Sequence, residues 1–128
     1  GVRIGQLGTP AGTVRYNVAQ KDDKGEFLDG NNTYILTTPA NMFEEGGYFS
    51  VTAYSMDKKL LIPNKKKVYA RSNFDTKPNE DGTYTITLSP DGEGKNGIPT
   101  TGIPFYIIVR AYVPTPGLDL SKVKIEKQ

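Results

Sequence analysis

The chain has 128 residues, of which 36% are hydrophobic and 23% charged, and it contains neither cysteine nor histidine. Its 16 basic and 14 acidic side chains leave a formal charge of +2, too small a sum to argue for nucleic acid or a membrane as partner. Without imidazole or thiol groups, the Ser-His-Asp and Cys-His nucleophile sets and His-based zinc sites are excluded. No stretch approaches the roughly 20 apolar residues of a membrane-spanning helix, so we expect no span, while composition leaves the compartment open.

Apolar side chains alternate at period two along most of the chain, which predicts short β-strands. In chain order, the predicted strands are Val14–Ala19, Thr33–Thr38, Tyr48–Met56, Leu60–Ile62, Val68–Arg71, Thr83–Leu88, Phe105–Val113 and Val123–Glu126. The segments between them, such as Asp22–Gly25 and Asn79–Gly82, consist of turn formers. About eight strands at this spacing predict an all-β fold, an antiparallel β-sandwich.

The domain organisation follows from the same pattern. A chain of this length matches one ordinary domain, and without a repeat or interior linker we expect residues 1–128 to form a single β-sandwich domain. Residues 1–12 are predicted to be an irregular N-terminal segment, and 121–128 a last edge strand or a frayed tail. The only predicted helical turn is Pro39–Glu45, where Pro39 suits a helix start and Gly46 and Gly47 would end it.

Alternation along two strands predicts which side chains enter the core. In Phe105–Val113 every odd position is apolar, so we expect these residues, Val113 included, to face the core. In Thr83–Leu88, Tyr84, Ile86 and Leu88 share one face, and the alternating threonines, ending at Thr87, are predicted to face solvent.

The other faces of two strands carry the candidate contact residues. The even positions of Phe105–Val113 include Tyr106, Arg110 and Tyr112, and those of Tyr48–Tyr54 include Tyr48 and Tyr54. If these strands are neighbours, the five side chains form a patch of rings around a guanidinium, which suits a stacked sugar or a protein anchor. The alternative is that this face packs beneath the second sheet, a helix or a companion domain.

Carboxylates are the remaining catalytic candidates, because paired Asp or Glu side chains can hydrolyse glycosides. The acids considered are Asp22, Asp23, Glu44, Glu45, Asp81 and Glu93, and almost all lie in turn segments. Two sets could offer oxygen ligands to calcium without following the EF-hand spacing: Asp22 and Asp23 with Glu26, and Asp75 with Asn79 and Asp81. Solvated turns explain these acids better, so we predict no catalytic residue, metal site or cofactor.

The basic run Lys65–Lys67 is likewise predicted to be a solvated turn.

The sequence contains an ordered set of short motifs. They are Leu28-Asp29-Gly30-Asn31 followed by Tyr34, Leu36 and Pro39; Tyr48–Tyr54; Leu61–Asn64; Val68-Tyr69; Asp81–Ile86; Asn96–Gly102; and Phe105 onward to Arg110-Ala111-Tyr112-Val113-Pro114. Taken together, they resemble one family, domain of unknown function 1214. The resemblance spans roughly residues 13 to 120. It implies a jelly-roll-like sandwich, often the C-terminal half of a larger protein whose other half is domain of unknown function 1254. It implies no established activity.

Three functional hypotheses follow. The first is a non-enzymatic binding or structural module that packs on a companion domain or self-associates through its aromatic face. The second is a glycan-binding module that uses the same face, and the third is part of a carboxylate-dependent hydrolase. Fold analogy alone does not rank them, although the missing imidazole and thiol groups lean against an enzyme.

Overall fold

Eight strands and one short 3-10 helix make up the regular structure of residues 14–128, the part of the chain that this computed structural model describes. The strands are β1 (Val14–Ala19), β2 (Tyr34–Thr37), β3 (Phe43–Ser55), β4 (Ala70–Ser72), β5 (Thr85–Ser89), β6 (Ile98–Pro99), β7 (Phe105–Pro114) and β8 (Lys124–Lys127). The 3-10 helix spans Leu120–Lys122. The predicted irregular segment, residues 1–12, lies outside the described residues.

The strands form two four-stranded sheets, in the orders β1-β7-β3-β4 and β6-β5-β2-β8. Strand β7 pairs antiparallel with both β1 and β3, so the two longest strands lie at the centre of the first sheet. The predicted β-sandwich is therefore confirmed. The two-residue strand β6 was not predicted, and it runs parallel to β5, which makes the second sheet mixed.

The hydrophobic core lies between the sheets and follows the predicted alternation. Phe49, Val51 and Ala53 of β3 are buried, and so are the odd positions of β7 from Phe105 to Ala111. The facing sheet supplies Tyr34, Leu36, Ile86, Leu88 and Ile125. Burial of one such large apolar side chain stabilises the fold by about 1.5–3 kcal/mol.

The prediction that Val113 faces the core is wrong. Its side chain is 38% exposed and its φ angle is +53°, a left-handed conformation that interrupts the alternation of β7. The next residue, Pro114, is buried and pairs with Phe43. At the end of β7 the buried positions therefore no longer alternate, because Pro114 is buried in place of Val113.

The prediction that Thr87 faces solvent is also wrong, because this side chain is buried. Residues 90–97 fold back over β5, and the backbone N–H of Thr87 donates a hydrogen bond to the carbonyl of Lys95 at 3.0 Å. The polar loop expected after β5 therefore covers the predicted solvent face of that strand.

The predicted helical turn at Pro39–Glu45 is wrong as well, since β3 already begins at Phe43. The register between β3 and β7 shifts between Phe43 and Tyr48, and Gly46 and Gly47 lie inside this irregularity. Gly46 has a φ of +85°, and a side chain on Gly47 would collide with the carbonyl oxygen of Tyr112. The glycine pair thus permits a β-bulge instead of ending a helix.

The last strand settles the two possibilities for the C-terminus. Lys124–Lys127 pairs with β2 and forms the edge of the second sheet, so this end is an edge strand.

Leu60–Ile62, predicted as a strand, contributes only one isolated bridge, between Leu61 and Tyr54. Among residues 14–128, no helix has the length and hydropathy to span a bilayer.

Candidate contact surface

The pairing of β3 with β7 brings the five predicted contact residues together. Tyr48 lies opposite Tyr112, and Tyr54 lies opposite Tyr106. Arg110 lies opposite Ser50, between the two tyrosine pairs. Because their alternate neighbours fill the core, all five project from the outer face of the sheet, away from the second sheet. The alternative in which this face packs beneath the second sheet is therefore wrong.

Each tyrosine pair is stacked across the strands. The ring centroids of Tyr48 and Tyr112 are 4.2 Å apart with an interplanar angle of 16°, and those of Tyr54 and Tyr106 are 5.3 Å apart at the same angle. Cross-strand aromatic pairs of this kind stabilise a sheet by roughly 0.2–1 kcal/mol each. The stacking also occupies one ring face of every tyrosine.

Arg110 supplies a positive charge at the centre of this surface, and the Lys59 ammonium lies 5.5 Å from the Tyr106 ring centroid. One of the Arg110 Nη atoms donates a long hydrogen bond, 3.4 Å, to the hydroxyl of Tyr54. Within the described part of the chain, no carboxylate forms an ion pair with it. The guanidinium therefore keeps most of its donors for water or a partner.

Close packing of Tyr48 against Tyr112 affects the pKa of the Tyr48 phenol. The pKa of its phenol is raised above the ordinary value, first because burial disfavours the phenolate and then because the Tyr112 phenol lies beside it. Tyr48 therefore stays neutral at physiological pH and presents an apolar ring with a hydroxyl at its edge.

Sequence reasoning missed further members of the surface. Tyr16 of β1 pairs opposite Arg110, and Val18, 43% exposed, pairs opposite Ile108. Phe74 is 76% exposed and lies against Tyr48, with ring centroids 5.5 Å apart. Alternation in Val14–Ala19 was the available signal for Tyr16, but only the strand order shows that β1 borders β7. We call the whole set the tyrosine face: Tyr16, Val18, Tyr48, Tyr54, Phe74, Tyr106, Ile108, Arg110 and Tyr112.

The acidic side chains serve the turns. Asp22 is buried, and its Oδ1 accepts hydrogen bonds from the backbone N–H groups of Lys24 and Glu26, at 2.9 and 3.0 Å. Asp75 accepts from the N–H of Ser72, and Asp81 accepts from Thr83. Residues 14–128 contain no group of three Asp, Glu, His or Cys side chains that could hold a metal ion.

A family model described as "Protein of unknown function (DUF1214)" matches residues 13–116. The solved VPA0106 protein from Vibrio parahaemolyticus is 28% identical, with a TM-score of 0.82 over 100% of this chain and 34% of its own. An uncharacterised protein from Burkholderia cenocepacia is 19% identical, with a TM-score of 0.64 over 91% of this chain and 29% of its own, which is a likeness of fold alone. The chain thus spans about a third of the solved proteins that it matches. No curated protein matches the sequence.

Proposed function

Because this chain belongs to the DUF1214 family of proteins of unknown function, we propose that it is a binding module whose tyrosine face docks a companion domain of the same gene product. The observation that carries this proposal is the half-buried aromatic face on β3 and β7, which no part of residues 14–128 covers. The module needs no catalytic group of its own in this role. A domain of unknown function 1254 is the proposed companion.

Exposure of the tyrosine face supports docking. Phe74 is 76% exposed and Val18 43%, while Tyr48, Tyr54, Tyr106 and Tyr112 are each only partly covered. Contiguous aromatic surface of this kind on a small domain is typical of a contact site, and Tyr and Arg are enriched among residues that dominate interface energy.

The size of the related proteins supports a companion in the same polypeptide. Two-thirds of the Vibrio parahaemolyticus chain falls outside the part that matches. A second domain in the same polypeptide acts at a high effective concentration, so a moderate interface suffices for stable docking. We expect that companion to present apolar side chains to the rings and a carboxylate or carbonyl oxygen to Arg110.

Ring geometry favours a protein partner over a sugar. Sugar-binding platforms offer flat ring faces, whereas Tyr48 and Tyr112 turn one face of each ring towards the other, as do Tyr54 and Tyr106. Stacking thus leaves one face of each ring, its edge and its hydroxyl group for contact, which suits the mixed apolar and hydrogen-bonding chemistry of a protein interface.

The test is a calorimetric titration of the 128-residue chain with the separately produced remainder of its natural gene product. We expect binding, and we expect Arg110→Glu to weaken it by about 2–5 kcal/mol, because a carboxylate would replace the guanidinium in a desolvated contact. Arg15→Glu is the matched control: Arg15 lies in β1 of the same sheet but alternates to the opposite face. Circular dichroism and thermal melting establish that each variant folds.

Three results would overturn the proposal. One is the absence of binding to the remainder, and another is equal loss in Arg110→Glu and Arg15→Glu. The third is a chain that self-associates through Arg110 without binding the remainder, which would assign the tyrosine face to a second copy.

A further inference from the structure

The second surface of interest is built from residues 57–67, which lie in the connection between β3 and β4 and which we call the tip. This segment, Asp57-Lys58-Lys59-Leu60-Leu61-Ile62-Pro63-Asn64-Lys65-Lys66-Lys67, contains five lysines and one aspartate. The rest of the chain then holds 11 basic and 13 acidic side chains, so it carries a formal charge of −2 against +4 in the tip. The small overall charge therefore conceals a strong polarisation.

Two leucines lie exposed at the centre of the tip. Leu60 is 64% and Leu61 44% exposed, while the next residue, Ile62, is 2% exposed and anchors the segment in the core. Pro63, Ile103 and Pro104 line the same surface cleft as the leucines, so the apolar area extends beyond them. Adjacent exposed leucines that continue into a wider apolar cleft form a patch of the kind that marks a contact site.

The backbone holds the leucines outward. The N–H of Ser55 donates to the carbonyl of Leu60 at 2.8 Å, and the N–H of Lys59 donates to the carbonyl of Ser55 at 2.8 Å. Lys59 adopts a left-handed φ of +59° in this tight turn, and Leu61 forms a bridge with Tyr54 of β3. The leucines are therefore displayed by a fixed turn.

A second turn displays the lysines beside them. The side-chain amide of Asn64 donates to the carbonyls of Ile62 and Val68, at 3.0 and 2.9 Å, and its oxygen accepts from the N–H of Val68. This closes a loop from which Lys65, Lys66 and Lys67 all project into solvent. The loop shares Pro63 with the leucine cleft, so the cations border the apolar area.

Most of this positive charge is uncompensated. Lys66 pairs with Glu93 at 2.7 Å, but both side chains are exposed, so the pair contributes little. Within residues 14–128, Lys58, Lys65 and Lys67 form no ion pair. Three to four cations are therefore available to an anionic surface.

From this arrangement we propose that the tip binds the surface of an anionic lipid bilayer, with Leu60 and Leu61 entering the headgroup region and the surrounding lysines contacting lipid phosphates. A bilayer places anionic groups above an apolar layer, which is the spatial order that exposed leucines surrounded by lysines require. Lysine stems can lie along the apolar area while their ammonium groups reach the headgroups. An acidic protein or nucleic acid would satisfy the lysines alone and leave the leucines in water.

The binding is expected to be reversible and sensitive to salt. Two leucines bury little hydrocarbon, and each lysine near an anionic surface strengthens binding about fivefold. Salt shortens the range of the attraction to about 10 Å at about 0.1 M, so added salt should release the protein. The tip adjoins the tyrosine face, because Leu61 forms a bridge with Tyr54 and the Lys59 ammonium lies 5.5 Å from the Tyr106 ring centroid. The vesicle experiments use the 128-residue chain alone, so their outcome does not depend on the companion domain.

The decisive probe is Leu60→Trp, because the chain contains no tryptophan and the new residue is a unique fluorescent reporter. Vesicles of equal parts phosphatidylcholine and phosphatidylglycerol should shift its emission to shorter wavelength, and vesicles of phosphatidylcholine alone should not. Phe74→Trp, which places the reporter at an even more exposed apolar position away from the tip, should show no shift with either.

Co-sedimentation with the same vesicles separates charge from position. Changing Lys65, Lys66 and Lys67 together to Gln should weaken binding about a hundredfold, at about fivefold for each lysine. The matched control changes Lys77, Lys122 and Lys124, three exposed lysines outside the tip, to Gln and should have little effect. Leu60→Ser combined with Leu61→Ser should also weaken binding, and thermal melting establishes that each variant remains folded.

The proposal is overturned by an unchanged Leu60→Trp emission in the presence of anionic vesicles. Equal losses in the two lysine triplets would also overturn it, because they would indicate attraction by net charge alone. Binding to polyglutamate or heparin without binding to vesicles would assign the tip to an acidic macromolecule and would overturn the lipid proposal too.

Discussion

The ring of Tyr48 stacks on the ring of Tyr112 across β3 and β7, with 4.2 Å between their centroids, on the outer side of the sandwich. Directly beneath the strands, Phe49 and Ala111 pair in the same register and are fully buried. One register therefore fixes both a core contact and a surface contact, and the tyrosine face cannot shift without disrupting the core.

The raised pKa of Tyr48 predicts a specific response to alkali. A phenol whose folded-state pKa exceeds its unfolded value, about 10, contributes stability that is present below that value and lost as the pH rises through the folded pKa. We expect Tyr48→Phe, which keeps the stacked ring, to lose less unfolding free energy than the wild type between about pH 8 and about pH 11. Urea denaturation at both pH values measures this, and equal losses would show that Tyr48 does not carry the effect.

Gly30 should tolerate no side chain. A methyl group there would collide with the backbone N and O atoms of Ile103, where the Gly30 N–H donates a 2.8 Å hydrogen bond to the Ile103 carbonyl. We expect Gly30→Ala to lower the free energy of unfolding by about 3 kcal/mol. Gly25→Ala meets no neighbouring atom and costs only the strain of its left-handed φ, about 1 kcal/mol. Equal effects in a denaturation series would show that the close approach at Gly30 is unimportant.

Two valines of β7 should respond differently to truncation. Val109 is 0% exposed in the core, and Val109→Ala should cost about 2 kcal/mol through lost burial and a residual cavity. Val113 is 38% exposed, and Val113→Ala should change stability by less than about 0.5 kcal/mol. Thermal or urea unfolding of both variants checks this contrast. If Val113→Ala cost as much stability as Val109→Ala, Val113 would have to face the core, as the alternation in the sequence predicts.

Asp81 offers a test of the turn before β5. Its carboxylate accepts hydrogen bonds from the hydroxyl and N–H of Thr83, at 2.6 and 3.0 Å, and these hold its pKa below the ordinary value. The stability that this linkage gives is present above about pH 3.8 and is lost as the pH falls through the folded pKa. We expect Thr83→Val to raise the Asp81 pKa in an NMR titration, and an unchanged pKa would contradict the assignment.

Local patterning in the sequence predicted the strands well because alternation reports burial directly. The bounds of Val14–Ala19 are confirmed, and the central strands differ mainly at their ends. The five candidate contact residues could also be predicted to form one patch, since Tyr106, Arg110 and Tyr112 alternate with core residues. The sequence alone did not predict which strands pair, and the order of strands in the two sheets shows this.

The wrong predictions share a physical cause: contacts between residues far apart in sequence override local signals. Pro39 and the glycines at 46 and 47 have the pattern of a short helix, yet pairing with β7 makes Phe43 extended. Thr87 has the pattern of a solvent-facing residue, yet residues 90–97 cover it. The net charge of the whole chain likewise understates the charge of residues 57–67, because an excess of two acids elsewhere offsets half of their formal charge of +4.

Nitration of tyrosines, followed by mass spectrometry, tests the proposed docking through the tyrosine face most directly when the 128-residue chain is compared alone and in complex with the proposed companion domain. Tyr34, which is 0% exposed in the core, should resist modification in both. Tyr48, Tyr54, Tyr106 and Tyr112 should be modified in the chain alone and protected in the complex. Equal modification of these four tyrosines in both samples would contradict a companion domain on this face.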